Sequence, residues 1–121
     1  MTIRLITSAA SVVALLGVLA APMVAQAETQ AEMIAKGKEV AFHRKKGNCL
    51  TCHMIAGGDS PGNVGPPLVA MKARFPDKKV LRAQIWDSTK SNPATLMPPF
   101  GKHNILTEKE IDQVVEFVHS L

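Results

Sequence analysis

The sequence predicts an all-α fold in one small domain, on three observations. The segment that ends the chain repeats apolar residues at helical spacing after a strong helix-start signal. Two stretches, residues 57–67 and 88–104, are too dense in glycine, proline and asparagine to form regular structure. No segment of the sequence has the pattern of a β-strand.

The first 27 residues are predicted to be a secretory signal peptide. Arg4 precedes an apolar run over residues 5–21, and Ala25-Gln26-Ala27 has the small-residue pattern of a cleavage site. A transmembrane anchor is the alternative, but hydroxyl side chains interrupt the run and the cleavage pattern follows it. No cysteine lies near the junction, so a lipid anchor has no attachment point. The mature domain is expected to cover residues 28–121, without a membrane span, in the periplasm.

The first helix is predicted from residue 30 to about residue 45, with one face formed by Met33, Gly37, Val40 and Ala41. A glycine inside a helix costs about 1 kcal/mol relative to alanine. Gly37 is therefore expected to have a packing reason, such as the close approach of another helix. A tolerated glycine without a role is the alternative.

Two further helices are predicted between residues 68 and 86. The first runs from Leu68 to Arg74 and stops before Phe75-Pro76, because the residue before a proline is pushed out of the helical region. Asp77 then caps the second helix. Its interior positions are expected to be Val80, Leu81, Gln84 and Ile85. Trp86 follows on the same helix and is expected to pack in the core or against a cofactor.

The last helix begins with a capping box, in which Thr107 is the N-cap and Glu110 the third helical residue. Its apolar residues then repeat at helical spacing: Ile111, Val114, Val115, Val118 and Leu121, with Phe117 beside them. This face needs a partner. We expect the N-terminal helix with Gly37 to pack against it and close the domain.

The stretch Cys49-Leu50-Thr51-Cys52-His53 has the spacing of a c-type haem attachment site. Residues i and i+3 of a helical turn lie on one face, so both cysteine sulfurs reach one porphyrin edge as thioethers. The imidazole of His53 is then placed to coordinate iron. Two alternatives are a reducible cysteine pair and half of a zinc site. A reducible cysteine pair belongs with a βαβ pattern, which is absent here. A zinc site needs a second pair of ligands at close spacing, whereas His43, His103 and His119 are scattered singly.

The second iron ligand is predicted to be Met97, because it precedes Pro98-Pro99 on a stiffened backbone. Met33 and Met71 fall at helical positions typical of a core, and Met54 adjoins His53 and cannot reach the opposite face of a haem. His103 is the second candidate, and an open iron position is the third. A Pro66 or Pro67 carbonyl is a natural acceptor for the second ring nitrogen of His53.

The whole chain has a formal charge of +4, and removal of residues 1–27 takes away Arg4 and leaves +3. Basic residues gather at residues 44–46 and again between residues 72 and 82. They indicate either a docking surface for an acidic redox partner or ordinary solvated helix faces. Nucleic acid is not an expected partner, because four Phe, one Trp and no Tyr give no stacking platform.

These motifs together resemble the class I cytochrome c fold: a helix, the Cys-x-x-Cys-His stretch, Gly65-Pro66-x-Leu68, a methionine loop and a final helix. Three longer phrases are similar to the SoxX family, the small haem subunit of the SoxAX sulfur-oxidising cytochrome. They cover residues 44–49, 62–68 and 92–103. The resemblance spans nearly the whole mature chain, although the N-terminal extension of some family members is missing.

The resemblance implies one covalent haem c held by Cys49 and Cys52, with His53 and Met97 as axial ligands and Pro66 as the carbonyl that fixes His53. It also implies a heterodimer with a SoxA-type subunit, a SoxYZ-type carrier protein and a downstream electron acceptor cytochrome. The complex would act as an L-cysteine S-thiosulfotransferase, coupling thiosulfate oxidatively to a carrier cysteine, and this chain alone would be an electron carrier. A free-standing monohaem shuttle and a haem enzyme or gas sensor with an open iron are the alternatives.

Overall fold

Four α-helices and two short 3-10 turns form the described part of the chain, residues 27–121 of a computed structural model. The helices are α1 (Gln30–Phe42), α2 (Met71–Arg74), α3 (Lys78–Trp86) and α4 (Glu108–His119), and the turns are Cys49–Thr51 and Ser88–Lys90. No strand occurs over this range. The predicted signal peptide, apart from Ala27, lies outside the described residues, so its cleavage position stays a prediction. Within the same range, no helix combines the length and hydrophobicity required to cross a membrane.

The two ends of the domain pack against each other through α1 and α4, as predicted. Gly37 makes this approach possible, because a Cβ atom built on it would lie 1.9 Å from the Gln113 carbonyl oxygen. Phe42 and Phe117 meet edge to face across the same interface, with ring centroids 5.8 Å apart. The expected all-α fold and the packing reason for Gly37 are therefore confirmed.

Both of these helices begin with a capping box. At α4 the Thr107 hydroxyl accepts from the Glu110 amide, and the Glu110 carboxylate accepts from the Thr107 amide, as predicted. Thr29 and Glu32 make the same reciprocal pair at α1. This second box was not predicted, although Thr29-Gln30-Ala31-Glu32 carries the same sequence signal.

Two predicted helix boundaries were wrong. The first helix ends at Phe42 rather than near residue 45, because His43 is extended (φ −71°, ψ 115°) and the Val40 carbonyl accepts from the Gly47 amide. The short helix begins at Met71 rather than at Leu68. Ala70 before it adopts a left-handed conformation with φ 51°, and the Leu68 amide donates to the Met54 carbonyl.

The helix α3 is capped by Asp77, whose side chain accepts from the Lys79 amide, as predicted. Leu81 and Ile85 are buried, but Val80 is 57% exposed, so its predicted interior position was wrong. Trp86 packs against Gly101, where an added Cβ would lie 2.0 Å from the indole ring. It contacts the rest of the core rather than a cavity, which confirms the simpler of its two expected roles.

Two of the basic residues between residues 72 and 82 form ion pairs within the domain. Lys78 pairs with Glu116 at 2.8 Å, and Arg82 pairs with Asp112 at 2.7 Å and also with Glu108. These pairs join α3 to α4 at half-exposed positions, where each contributes on the order of 1 kcal/mol or less. For these two residues the structure favours a helix-joining role over a free docking surface.

The Glu28 side chain connects the start of the domain to α1 and α4 through ion pairs and a hydrogen bond. Its carboxylate lies 2.5 Å from Lys36 Nζ and 3.0 Å from Lys109 Nζ, and it accepts from Gln113 Nε2 at 3.1 Å. The hydrogen bond from Lys36, followed by those from Gln113 and Lys109, lowers the pKa of Glu28 from 4.5 to about 2.

We therefore expect Glu28→Ala to reduce the acid dependence of folding stability. A carboxylate with a lowered pKa in the folded state stabilises the protein above pH 4.5, and this contribution is lost as the pH falls toward 2. Urea unfolding at a series of pH values should show a shallower decline for Glu28→Ala than for the parent. Glu39→Gln, an exposed change on α1, is the control. Equal pH dependence in Glu28→Ala and the parent would contradict the assignment.

Candidate cofactor site

A cavity of about 810 Å³ opens beside the Cys-x-x-Cys-His stretch. Its volume lies within the range of about 300–1,000 Å³ that proteins use for small molecules and cofactors. Helices α2, α3 and α4 supply apolar walls, which include Met71, Leu81, Ile85, Val114 and Val118. The two loops rich in proline and glycine and the segment of residues 44–53 form most of the remaining lining. The arrangement suits a large, flat, mainly apolar group.

Cys49, Cys52 and His53 all line this cavity. They are arranged by a 3-10 turn rather than by the expected α-helical turn, and the amides of Cys52 and His53 both donate to the Cys49 carbonyl, at 3.2 and 2.9 Å. Asn48 enters the turn in a left-handed conformation with φ 47°. The motif still presents both cysteines to one space, which is the property that double attachment requires.

His53 is fixed by the loop that follows it. Its Nδ1 lies 2.7 Å from the Pro66 carbonyl oxygen, a distance at which the Nδ1–H donates, so the lone pair is left on Nε2. Gly65 makes room for the ring, since a Cβ there would lie 2.5 Å from His53 Cε1. The loop is in turn bound back to the motif by the Gly65 amide, which donates to the Cys52 carbonyl at 2.8 Å. The predicted hydrogen bond between His53 and Pro66 is confirmed.

The chemistry of the cysteines argues against a reducible pair. Burial raises the pKa of the Cys49 thiol to about 11, whereas redox-active cysteines have a lowered pKa. A zinc site is also unsupported: across residues 27–121, no three His, Cys, Asp or Glu side chains come together in a way that could hold a metal ion. Of the three interpretations of the motif, haem attachment is the one that the local structure fits.

The fold distinguishes between the two candidates for a second iron ligand, Met97 and His103. Met97 lines the cavity, whereas His103 is exposed and lies outside the cavity lining. The His103 amide donates to the Pro99 carbonyl at 3.1 Å, which places this residue in the turn that follows Pro98-Pro99. Met71 also lines the cavity, but it is 2% exposed and its sulfur accepts from Arg74 Nη1 at 3.3 Å. Met97 thus remains the leading candidate.

Comparison with known proteins decides the family. A family model described as "Cytochrome C oxidase, cbb3-type, subunit III" matches residues 25–118. The chain belongs to this cytochrome c family. Membership implies that the cytochrome binds haem c covalently, and the cavity, the paired cysteines and the available His53 Nε2 all fit that group.

The cytochrome is also similar to a solved structure and to a curated protein. A chain in the crystal structure of SoxXA from P. pantotrophus aligns with a TM-score of 0.65 and 24% identity, over 72% of this chain and 80% of that one. The resemblance to a Sox cytochrome is therefore confirmed in the fold. An uncharacterized lipoprotein of Aquifex aeolicus (strain VF5) is 35% identical over 79 residues, which is 62% of this chain. The cytochrome spans 37% of the length of that relative.

Proposed function

We propose that this cytochrome is the electron-transfer haem subunit of a SoxAX-type complex in thiosulfate oxidation. The observation that supports this proposal most directly is the cavity that Cys49, Cys52, His53 and Met97 all line. Haem bound there would exchange single electrons between two iron oxidation states. Electron transfer is the chemistry that a haem held by Cys49 and Cys52, with His53 and Met97 as its ligands, would supply.

Each site residue has one role in this proposal. Cys49 and Cys52 would hold the haem as thioethers, and His53 would offer Nε2 to iron, because the Pro66 carbonyl keeps the proton on Nδ1. Met97 would provide a thioether ligand, which would favour a raised reduction potential and so suit an electron acceptor. A site of this kind leaves no open iron position for substrate.

The same assignment places the sulfur chemistry on another protein. The chain has two cysteines in all, and both are used by the haem. The cysteine that accepts thiosulfate must then belong to a SoxYZ-type carrier, and the catalytic cysteine of the thiosulfotransferase to the SoxA-type partner. This chain would pass the electrons to a downstream acceptor cytochrome. The similarity of its fold to a SoxXA chain and the sequence phrases near residues 44–49, 62–68 and 92–103 support this division of roles.

We place the mature protein, residues 28–121, outside the cytoplasm and specifically in the periplasm. The apolar N-terminal segment and the Ala25-Gln26-Ala27 pattern support export. A curated relative described as a lipoprotein is in keeping with a location beyond the inner membrane.

The experiment that tests the proposal is mass spectrometry of the protein isolated from its own cells. Native spectra should show this chain in a complex with a second haem-bearing subunit. Denaturing spectra of the same sample should show a chain that starts at Glu28 and retains one haem after unfolding. A haem-bearing chain found alone would instead favour a free-standing electron shuttle, and a chain without covalent haem would overturn the site assignment itself.

A further inference from the structure

The loop that carries Met97 is hydrogen-bonded to the end of α3 and to the short turn that follows this helix. The amides of Gly101 and Lys102 donate to the Trp86 carbonyl at 3.1 and 3.2 Å, so the far end of the loop returns to the last residue of the helix. Between these ends, the Ser88 hydroxyl donates to the Met97 carbonyl at 2.7 Å. Ser88 thus contacts the proposed ligand residue itself.

The bond from Ser88 satisfies a carbonyl for which the loop offers no backbone donor. Met97 is followed by Pro98 and Pro99, which have no N–H, and no backbone amide of residues 27–121 donates to the Met97 carbonyl. Ser88 is completely buried, so water does not compete for its hydroxyl. On the other side of the same residue, the Met97 amide donates to Thr95 Oγ1 at 3.1 Å. Two hydroxyl groups therefore fix the Met97 backbone.

We propose that Ser88 is a positioning residue whose buried hydroxyl holds the Met97 backbone so that its thioether stays directed into the cavity as an iron ligand. This inference rests on the proposed role of Met97. It adds that the occupancy of that ligand is set by the hydrogen bond from Ser88, nine residues earlier in the chain.

The proposal predicts how an added ligand will bind. Imidazole can bind the iron only in the fraction of molecules in which Met97 has left it. The apparent affinity for imidazole is therefore the intrinsic affinity multiplied by that fraction. Ser88→Ala removes one of the two bonds that hold Met97 and should raise this fraction. We expect the apparent affinity of the oxidised holoprotein for imidazole to rise about tenfold, which corresponds to about 1.4 kcal/mol.

The decisive test is a double-mutant cycle followed by visible spectroscopy during imidazole titration. In the Met97→Ala background the iron position is already open, so Ser88→Ala should have no further effect on imidazole affinity. Thr95→Val should act in the same direction as Ser88→Ala in the parent, because it removes the acceptor of the Met97 amide. Ser91→Ala, an exposed change in the neighbouring turn, is the control and should leave the affinity unchanged.

Three results would contradict the inference, and they differ in what they leave standing. If Met97→Ala raises imidazole affinity but Ser88→Ala does not, Met97 remains a ligand and the positioning role of Ser88 is wrong. If Ser88→Ala raises the affinity equally in both backgrounds, the serine acts on the cavity in general and not through Met97. If Met97→Ala itself has no effect on imidazole binding, the proposed ligand is wrong, and the inference falls with it.

Discussion

Met97→Ala is expected to lower the reduction potential of the holoprotein by roughly 0.1 V or more, given that axial ligands set haem potentials over about 0.8 V. A thioether ligand stabilises the reduced iron, and its loss favours the oxidised state. The charge-transfer absorption typical of methionine ligation should also disappear from the oxidised spectrum. Potentiometric titration and visible spectroscopy of the purified holoprotein measure both effects.

Two matched variants make this result specific to the ligand. Met54→Ala removes a methionine that adjoins His53 but is 54% exposed and lies outside the cavity lining, so the spectrum and potential should stay close to those of the parent. His103→Ala tests the second candidate and should also have little effect. An altered spectrum in His103→Ala together with an unchanged one in Met97→Ala would transfer the ligand assignment to His103.

Gly37→Ala is expected to destabilise the fold by about 2 kcal/mol or more, although alanine is the better helix former by about 1 kcal/mol. The added Cβ would lie 1.9 Å from the Gln113 carbonyl oxygen and 2.9 Å from Phe117 Cβ. The first of these atoms belongs to the backbone of α4, so no change of rotamer can relieve the overlap. The two helices would have to move apart. The free energy of unfolding, measured by denaturant titration of the holoprotein, should therefore fall.

The control for Gly37→Ala is the reverse exchange at an exposed position of the same helix. Ala35→Gly measures the helix-propensity contribution alone and should cost about 1 kcal/mol. If Gly37→Ala stabilised the protein by a similar amount, propensity would dominate, and the close contact between α1 and α4 would not limit the residue at position 37.

The parts of the structure that the sequence predicted well carry a recognisable chemical signal in the sequence. The start of α4 follows from Thr107 and Glu110, three residues apart, and the turn at Cys49 to His53 follows from a fixed spacing. The Pro66 carbonyl could be expected as an acceptor for His53 because a proline-rich loop and a ligating histidine have complementary needs. The cap of α4 is set within one helical turn, whereas the bond between His53 and Pro66 joins residues 13 apart and follows from the chemical needs of the two groups.

The predictions that were wrong or incomplete depend on contacts for which the sequence carries no recognisable signal. No local signal shows that the Leu68 amide pairs with Met54 and so delays the start of α2 until Met71. Met97 and His103 lie six residues apart in one loop, and only the turn at Pro99 shows which of them lines the cavity. Ser88 carries no motif at all, and its contact with Met97 exists because the loop returns to α3.

The pairing of α1 with α4 also has a consequence for the order in which the domain is completed. These helices are the first and last of the described chain, so their contact must close nearly the full length of the domain, which slows folding relative to a fold with local contacts. The last helix also supplies Val114 and Val118 to the cavity wall. Until residues 108–119 have docked, the cavity lacks this part of its wall. The wall of the cofactor cavity is therefore completed only by the most distant contact in the domain, so the cavity forms as late in folding as the pairing of its two terminal helices.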